Sequence, residues 1–244
     1  MEISNTTFIQ KRIVKQVMKL MGNRFEISVV THDETDDWAN EQINKGVSEI
    51  QRIEKLLTTY NALSQTNQIN ELAGIRPVKV DKEVFDLIER SIKISSITQG
   101  AFDISYGSID KRLWNFDKTM TELPDAATAK RSVRLINYKN ILLDKNECSV
   151  FLKETGMRIG FGGIGKGYAA ESAKIVMQQN GVTNGIVNAS GDLTTWGLQP
   201  DGKPWAVGIA NPDDITKPFS WLNISDMAIA TPGNYEKFIM INGK

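Results

Sequence analysis

The chain has 244 residues, of which 41% are hydrophobic and 24% charged, a composition typical of a globular protein with a sizeable core. Its 29 Lys and Arg residues balance its 29 Asp and Glu residues, so the charge does not favour a nucleic-acid binder. The single Cys148 excludes an internal disulfide, and the single His32 excludes a histidine-based metal cluster. The sequence contains no run of about 18 apolar residues, so no membrane span is predicted.

The first predicted elements are strands followed by a long helix. Residues 8–31 are predicted as strand, because side chains alternate with a period of two from Phe25 to Val30, and the glycine within Met21–Arg24 provides a bend. Apolar residues spaced by three and four predict a helix from Glu34 to Tyr60 whose stripe belongs to the core. The polar stretch Asn61–Gly74 is predicted as a loop, either plain or in contact with a ligand.

The middle of the chain alternates short strands with shorter helices. Val78–Val80 is predicted as a strand, and Asp81 as the N-cap of a helix. Gly100-Ala-Phe-Asp103 follows, and its aspartate is suited to capping the next turn. Pro124 indicates the first turn of a further helix. Short strands are then predicted at Arg134–Ile136, Asn140–Leu143, Ser149–Lys153 and Arg158–Phe161.

The last third is predicted as one helix and several strands. The helix runs over Tyr168–Asn180 and ends at Gly181. Asn242-Gly243 is a hairpin-turn signal without a return strand, from which we expect that the natural protein continues. The predicted strands are Gly185–Ala189, Trp205–Ile209, Ile215–Ile224, Met227–Thr231 and Lys237–Ile241.

The stretch Gly156–Glu171 reads GMRIGFGGIGKGYAAE, and six of its first twelve residues are glycine. Because glycine loses the most backbone entropy on folding, such a cluster requires a reason. A buried strand at Met157–Phe161, a glycine turn and a helix would present backbone N–H groups to a phosphate. The plainer interpretation is a tight connection in which glycines only allow close packing. The density of glycines and the following lysine favour an anion site.

Two standard nucleotide motifs overlap in this stretch, and neither fits well. Gly160–Gly165 matches the dinucleotide pattern G-x-G-x-x-G, but some 155 residues precede this stretch, and Asp192, the nearest plausible acid after the next strand, is late. Gly160–Lys166 matches the start of a P-loop, but Gly167 stands where that motif requires the Ser or Thr that holds magnesium. A dinucleotide or nucleoside triphosphate enzyme is therefore disfavoured.

Seven short blocks follow one another along nearly the whole chain: Met21-Gly22, Tyr60–Gly74, Gly100–Asp103, Ile159–Tyr168, Ser190–Asp192, Pro200–Trp205 and Ala230–Glu236. Together they resemble the ApbE family of flavin transferases, or FAD:protein FMN transferases. The resemblance implies an α+β fold with mixed, largely antiparallel sheets and packed helices. It also implies that residues 1–244 form a single domain. Short strands and separated helices without regular βαβ alternation agree with this fold class.

The resemblance implies metal-dependent transfer of FMN from FAD to a Ser or Thr hydroxyl of a target flavoprotein, with release of AMP. The expected cofactors are FAD, as substrate, and Mg²⁺, and the expected partners are FAD and the target flavoprotein. A flavin-binding protein without transfer activity and an FAD pyrophosphatase are the alternatives. Family members are often exported and membrane-anchored, whereas this sequence shows no signal peptide or lipobox, so the compartment is left open.

Site residues follow from the resemblance by position. Gly165 stands where the family offers a backbone carbonyl to the metal. Asp103 is placed to accept a hydrogen bond from adenosine, and Lys166 and Tyr168 are placed beside the flavin pyrophosphate. The full set of expected cofactor-binding residues is Met21, Tyr60, Ala101, Phe102, Asp103, Gly162, Gly163, Lys166 and Tyr168.

The sequence also departs from the family pattern. Gly160 replaces an aspartate near the expected metal, and Glu171 replaces another aspartate. The family's His-x-Ile-Asp-Pro-x-x-Gly block and its Asp-x-x-x-Thr pair do not occur by residue 244, so no catalytic residue is assigned. Because Mg²⁺ prefers an octahedron of oxygens, we expect a C-terminally incomplete domain that binds metal poorly and has little transferase activity alone.

Overall fold

A computed structural model describes residues 11–109, 124–211 and 217–231. Residues 11–54 and 166–231 form one compact unit, called the first unit, and residues 55–165 form the second unit. The expectation of a single domain over residues 1–244 stays a prediction. The expected strand Lys237–Ile241 and the turn Asn242-Gly243 lie outside the described residues.

Helices and antiparallel sheets alternate irregularly along the chain, which confirms the predicted α+β class. Every strand pair among the described residues is antiparallel. None of the helices in these residues has the length and apolar character needed to cross a bilayer. In chain order the elements are β1 (Arg12–Leu20), β2 (Asn23–Thr31), α1 (Asp36–Leu57), α2 (Gln65–Glu71), β3 (Val78–Lys79), α3 (Lys82–Ile97), α4 (Ala126–Ser132), β4 (Ile141–Asp144), β5 (Ser149–Leu152), α5 (Gly165–Gln179), β6 (Gly185–Ala189), β7 (Asp192–Trp196), β8 (Trp205–Ala210), β9 (Pro218–Ile224) and β10 (Ala228–Ile229).

The first unit is built on a five-stranded sheet in the order β1-β2-β6-β7-β10, with a separate β8–β9 pair. The strand predicted within residues 8–31 is a hairpin, in which Leu20 pairs with Asn23. Its two-residue turn has positive φ at both positions, 50° at Met21 and 72° at Gly22. Two consecutive positive φ values match the twist of the flanking strands, which explains the glycine.

Strands β2 and β7 of this sheet are buried on both faces, whereas the edge strand β1 is largely exposed. Phe25, Ile27 and Val29 of β2 point to one face and are fully buried, as the period of two predicts. Helices α1 and α5 approach closely, since a Cβ on Gly46 would lie 3.2 Å from the sulfur of Met177. The other face is packed by the β8–β9 pair in a small cluster composed of Val30, Leu193, Trp205 and Ile224.

The second unit contains the three-stranded sheet β3-β5-β4 and helices α2, α3 and α4. Helix α2 corrects the prediction of a loop over Asn61–Gly74. Ser64 caps it, because its hydroxyl accepts the N–H of Asn67 at 3.1 Å. Polar side chains on a short, half-buried helix produce no apolar stripe, so the sequence pattern did not reveal it.

Two predicted strands are absent from the second unit. Residues 133–135 form a turn after α4, and residues 157–161 belong to no strand. The side-chain amide of Asn70 takes the place of a neighbouring strand, accepting the N–H of Ile159 at 2.7 Å and donating to its carbonyl at 3.1 Å. A side chain, and not a neighbouring strand, therefore satisfies the backbone N–H and carbonyl of Ile159.

Asp81 occupies the N-cap position of α3, as predicted, without a capping hydrogen bond from its side chain. The amide of Gln65 engages it instead, donating to its carboxylate at 2.6 Å and accepting its backbone N–H at 2.8 Å. This contact joins the start of α2 to the start of α3.

Candidate functional site

The glycine loop, residues 160–165, belongs to the second unit and runs directly into α5. Two aromatic rings lie against this loop: that of Tyr106, in the turn Ile104–Ser108, and that of Phe102, just before this turn. A Cβ on Gly162 would overlap the hydroxyl oxygen of Tyr106, and a Cβ on Gly163 would lie 3.0 Å from the ring of Phe102. Close packing therefore explains two of the six glycines, in line with the plainer interpretation of the cluster.

Most of the loop's backbone donors are already engaged. The N–H of Gly162 donates to the Tyr106 hydroxyl at 2.9 Å. The N–H groups of Ile164 and Gly165 donate to the carbonyl of Phe161 at 3.1 and 2.6 Å. The N–H groups of Phe161 and Gly163 have no partner within the described part of the chain. An anion at this loop would therefore find two separate backbone donors, and not the continuous row that the motif suggests.

Tyr106 anchors the loop from a partly covered position, with 40% of its surface exposed. Desolvation of the phenol raises the pKa of Tyr106, while the N–H that it accepts from Gly162 acts in the opposite direction. The hydroxyl therefore stays protonated at neutral pH and keeps its own proton available for donation. Nothing in the glycine motif indicated this residue.

Asp103 braces the same turn. One carboxylate oxygen accepts from the backbone N–H of Ser105 at 2.8 Å and from its hydroxyl at 2.6 Å. The other oxygen accepts the N–H of Tyr138 at 2.9 Å. The capping role considered for Asp103 is thus observed. An open cleft of about 400 Å³ lies beside it, lined also by Gln99, Asn137 and Lys139.

Lys166 lies in the first turn of α5, in the first unit, and its side chain is largely buried. Its Nζ lies 2.9 Å from a carboxylate oxygen of Asp192 and 3.3 Å from the carbonyl of Ala189. The side chains of Lys166 and Asp192 are only 23% and 21% exposed. The backbone N–H groups of Lys166 and Gly167 have no partner among the residues described. Positive groups thus converge at this helix end, as an anion site requires.

A strained turn presents Asp192. Ala189 pairs with Asp192 across the turn between β6 and β7. Its two residues both have positive φ, 57° at Ser190 and 97° at Gly191. Thr231 closes it, because its hydroxyl donates to the Gly191 carbonyl at 3.0 Å and its N–H to Asp192 at 3.4 Å. A positive φ at serine is uncommon and marks a position that its surroundings hold in place.

Comparison with known proteins identifies the family of this chain. The sequence model of the ApbE family matches residues 21–244, which is most of the chain. The chain belongs to the ApbE family.

Curated ApbE relatives include two proteins of Klebsiella pneumoniae (strain 342), each named FAD:protein FMN transferase. The first is 31% identical over 234 residues, covering 96% of this chain and 70% of that protein. The second is 28% identical over 231 residues, covering 93% of this chain and 65% of that protein. The chain thus spans about two thirds of the length of these relatives.

The ApbE fold is also found in solved structures. The ApbE protein of Thermotoga maritima superposes with a TM-score of 0.84 at 24% identity, covering 96% of this chain and 74% of that one.

The antiparallel strands exclude the parallel βαβ unit on which the dinucleotide motif depends. The G-x-G-x-x-G match is therefore incidental.

The residues expected from the ApbE resemblance divide between the units. In the second unit, Tyr60 is 90% exposed and lies near Tyr106. The contacts of the expected residues, including Tyr60, with a flavin stay predictions. Those in the first unit are Met21, Lys166 and Tyr168, and those in the second are Tyr60, Ala101, Phe102, Asp103, Gly162, Gly163 and Gly165.

The sequence argument did not include Asp192, Thr231 or Tyr106 in the site. Asp192 and Thr231 lie in blocks that carried the ApbE resemblance, and the glycine before Asp192 signals a turn. The pairing of Asp192 with Lys166 has no local sequence signal.

The metal expected from the ApbE resemblance is not supported by the described residues. They contain no group of three or more His, Cys, Asp or Glu side chains arranged for a metal ion. Gly165 is the first residue of α5, and helix geometry directs its carbonyl along the helix axis toward residue 169. One such carbonyl does not fit the octahedral oxygen set of Mg²⁺, so no chemical step is derived through a metal.

The two departures from the ApbE pattern have different surroundings. Glu171 is engaged, because it accepts the Thr194 hydroxyl at 2.8 Å and pairs with Lys174 at 3.2 Å. A Cβ on Gly160 would meet only the Tyr106 ring, at an ordinary distance of 3.5 Å from its hydroxyl. Packing alone therefore does not require glycine at position 160.

Proposed function

We propose that this protein is an FAD:protein FMN transferase. The phosphorus of the FMN half of FAD exchanges its bond to the AMP phosphate oxygen for a bond to a Ser or Thr hydroxyl oxygen of a target flavoprotein. AMP leaves with the bridging oxygen, and the hydroxyl proton is released. Divalent metal dependence, with Mg²⁺, is part of this proposal and has no ligand set among the described residues.

One observation carries the proposal: the first turn of α5 combines a half-buried ammonium with free backbone donors. Lys166 supplies the ammonium, and the N–H groups of Lys166 and Gly167 are unpaired within the described residues. A helix N-terminus favours an anion through its dipole and its exposed N–H groups. Phosphoryl transfer needs chiefly positioning and charge neutralisation from a protein, and this turn supplies both.

The relatives support the same reaction. Both Klebsiella pneumoniae proteins carry the name FAD:protein FMN transferase, and their similarity extends over at least 93% of this chain. The name implies FAD as the donor and a protein as the acceptor. Which protein accepts the flavin is not indicated by any residue described.

The test is incubation of the purified protein with FAD and Mg²⁺ together with flavoprotein subunits from its host, with an EDTA-treated control. Release of AMP and a flavin fluorescence band that survives denaturing electrophoresis, located on Ser or Thr by mass spectrometry, support the transferase. FMN and AMP without covalent attachment indicate the pyrophosphatase alternative. Tight binding of intact FAD without products indicates a flavin-binding protein. A protein that neither binds nor cleaves FAD overturns the proposal.

A further inference from the structure

We propose that Asp192 is a positioning residue that fixes the Lys166 ammonium at the start of α5, where this ammonium contacts the anionic part of the substrate. The inference deepens the proposed function and rests on it. It is carried by the geometry of one cluster in the first unit, formed by Lys166, Asp192, Ala189 and Thr231.

Two oxygens hold the ammonium in place. Asp192 lies 2.9 Å and the Ala189 carbonyl 3.3 Å from Nζ. A lysine ammonium has three hydrogens, so two are committed and, as far as the described residues extend, one remains for a ligand. The flexible four-carbon stem of lysine would otherwise leave the charge free to move, and that freedom would have to be lost when substrate binds.

Asp192 is itself fixed on its other side. Its second oxygen accepts the N–H of Thr231 at 3.4 Å. The turn that carries it is tied by the Thr231 hydroxyl to Gly191 and by the Gly191 N–H to Asn188, at 3.0 and 2.9 Å. The β6–β7 register also places Asp192 directly opposite Ala189. Both oxygens that hold Nζ therefore come from one rigid turn.

In this arrangement Asp192 affects the orientation of the Lys166 ammonium and the affinity for FAD in different ways. The Asp192 carboxylate directs Lys166, but its negative charge also opposes the approach of a phosphate. Removing only the charge, as in Asp192→Asn, should loosen the ammonium without weakening attraction for FAD. Since misplacement of a positioning group by about 1 Å can cost roughly 100-fold in rate, kcat is the constant expected to fall.

The experiment measures AMP release from FAD by the wild-type protein and by Asp192→Asn. We expect kcat to fall by about 10-fold or more while KM for FAD stays equal or decreases. The control is Glu26→Gln in the same unit, which makes the same chemical change at a carboxylate that is 27% exposed and pairs with Lys15 at 3.3 Å. This control should leave both constants within about 2-fold of wild type, as expected for a surface ion pair.

A second measurement distinguishes positioning from a structural role. Because Asp192 acts through Lys166, Asp192→Asn should change single-turnover rates less than about 2-fold when Lys166→Met is already present. An unchanged kcat in Asp192→Asn, a raised KM with kcat retained, or the same fold-loss on both backgrounds overturns the positioning role alone. A wild-type protein that neither binds nor cleaves FAD overturns the proposed function, and this inference with it.

Discussion

The side-chain amide of Asn70 forms two hydrogen bonds with the backbone of Ile159, at 2.7 and 3.1 Å, although the two residues are 89 positions apart. Both residues are buried. The contact holds the segment that leads into the glycine loop, and it satisfies backbone groups that a neighbouring strand would otherwise have to pair.

Asn70→Ala should therefore destabilise the protein strongly. It leaves a buried N–H and a buried carbonyl of Ile159 without partners, at a cost of about 2–4 kcal/mol in the free energy of unfolding. Urea denaturation measures this cost. Asn44→Ala, on the exposed side of α1, is the matched control and should leave stability unchanged or slightly higher. Equal midpoints for the two variants would contradict the structural role of Asn70.

The contact between Gly162 and Tyr106 predicts a rescue. Gly162→Ala alone should cost about 1–3 kcal/mol, because the new methyl overlaps the Tyr106 hydroxyl. In the Gly162→Ala/Tyr106→Phe double variant, the nearest ring atom is 3.4 Å away, an ordinary contact. The double variant should therefore be more stable than Gly162→Ala in thermal denaturation. Additive losses would show that the hydroxyl is not the obstacle.

Tyr106 also predicts a pH dependence. Burial raises its pKa in the folded protein above the ordinary value of about 10, so the unfolded chain loses this proton first as the pH rises. Its contribution to stability is therefore fully present below pH of about 10 and is lost as pH rises through the raised pKa. The free energy of unfolding of wild type minus that of Tyr106→Phe should decrease in this alkaline range. A difference that is constant or grows with pH would contradict the shift.

Asp103→Ala should destabilise the second unit. The substitution removes the acceptor of three hydrogen bonds, from Ser105 and from the N–H of Tyr138. Loss of a capping residue of this kind costs about 0.5–2 kcal/mol. Denaturation and FAD titration of the same variant distinguish its two assigned roles. A loss of FAD affinity with unchanged stability would make Asp103 a ligand contact and not a brace.

Gly167→Ala should separate stability from function. A Cβ at this helical position meets nothing within 4 Å, and alanine is favoured over glycine in a helix by up to about 1 kcal/mol. The variant should therefore be as stable as wild type or more so. If the first turn of α5 receives the substrate phosphate, the added methyl should weaken FAD binding in a fluorescence titration. Undiminished affinity would place the phosphate elsewhere.

The sequence by itself determined the family, the fold class and the elements with clear periodicity. Helix α1, helix α5 and strand β2 each bury a regular set of side chains, and burial at a fixed period is a local property of the chain. Strand β7, whose last four residues are all buried, was not predicted. The blocks around Lys166 and Asp192 were likewise recognisable without a structure.

Only the tertiary structure decided which polar group satisfies which. The Tyr106 hydroxyl accepts a hydrogen bond from the N–H of Gly162, 56 positions away. Asp192, which follows the turn between β6 and β7, pairs with Lys166 in the first turn of α5. Such partners depend on how distant segments are brought together, and a hydrogen bond leaves no periodic signal in the sequence. The glycine cluster shows the difference: its composition suggested a phosphate loop, while the rings of Phe102 and Tyr106 explain part of it by packing.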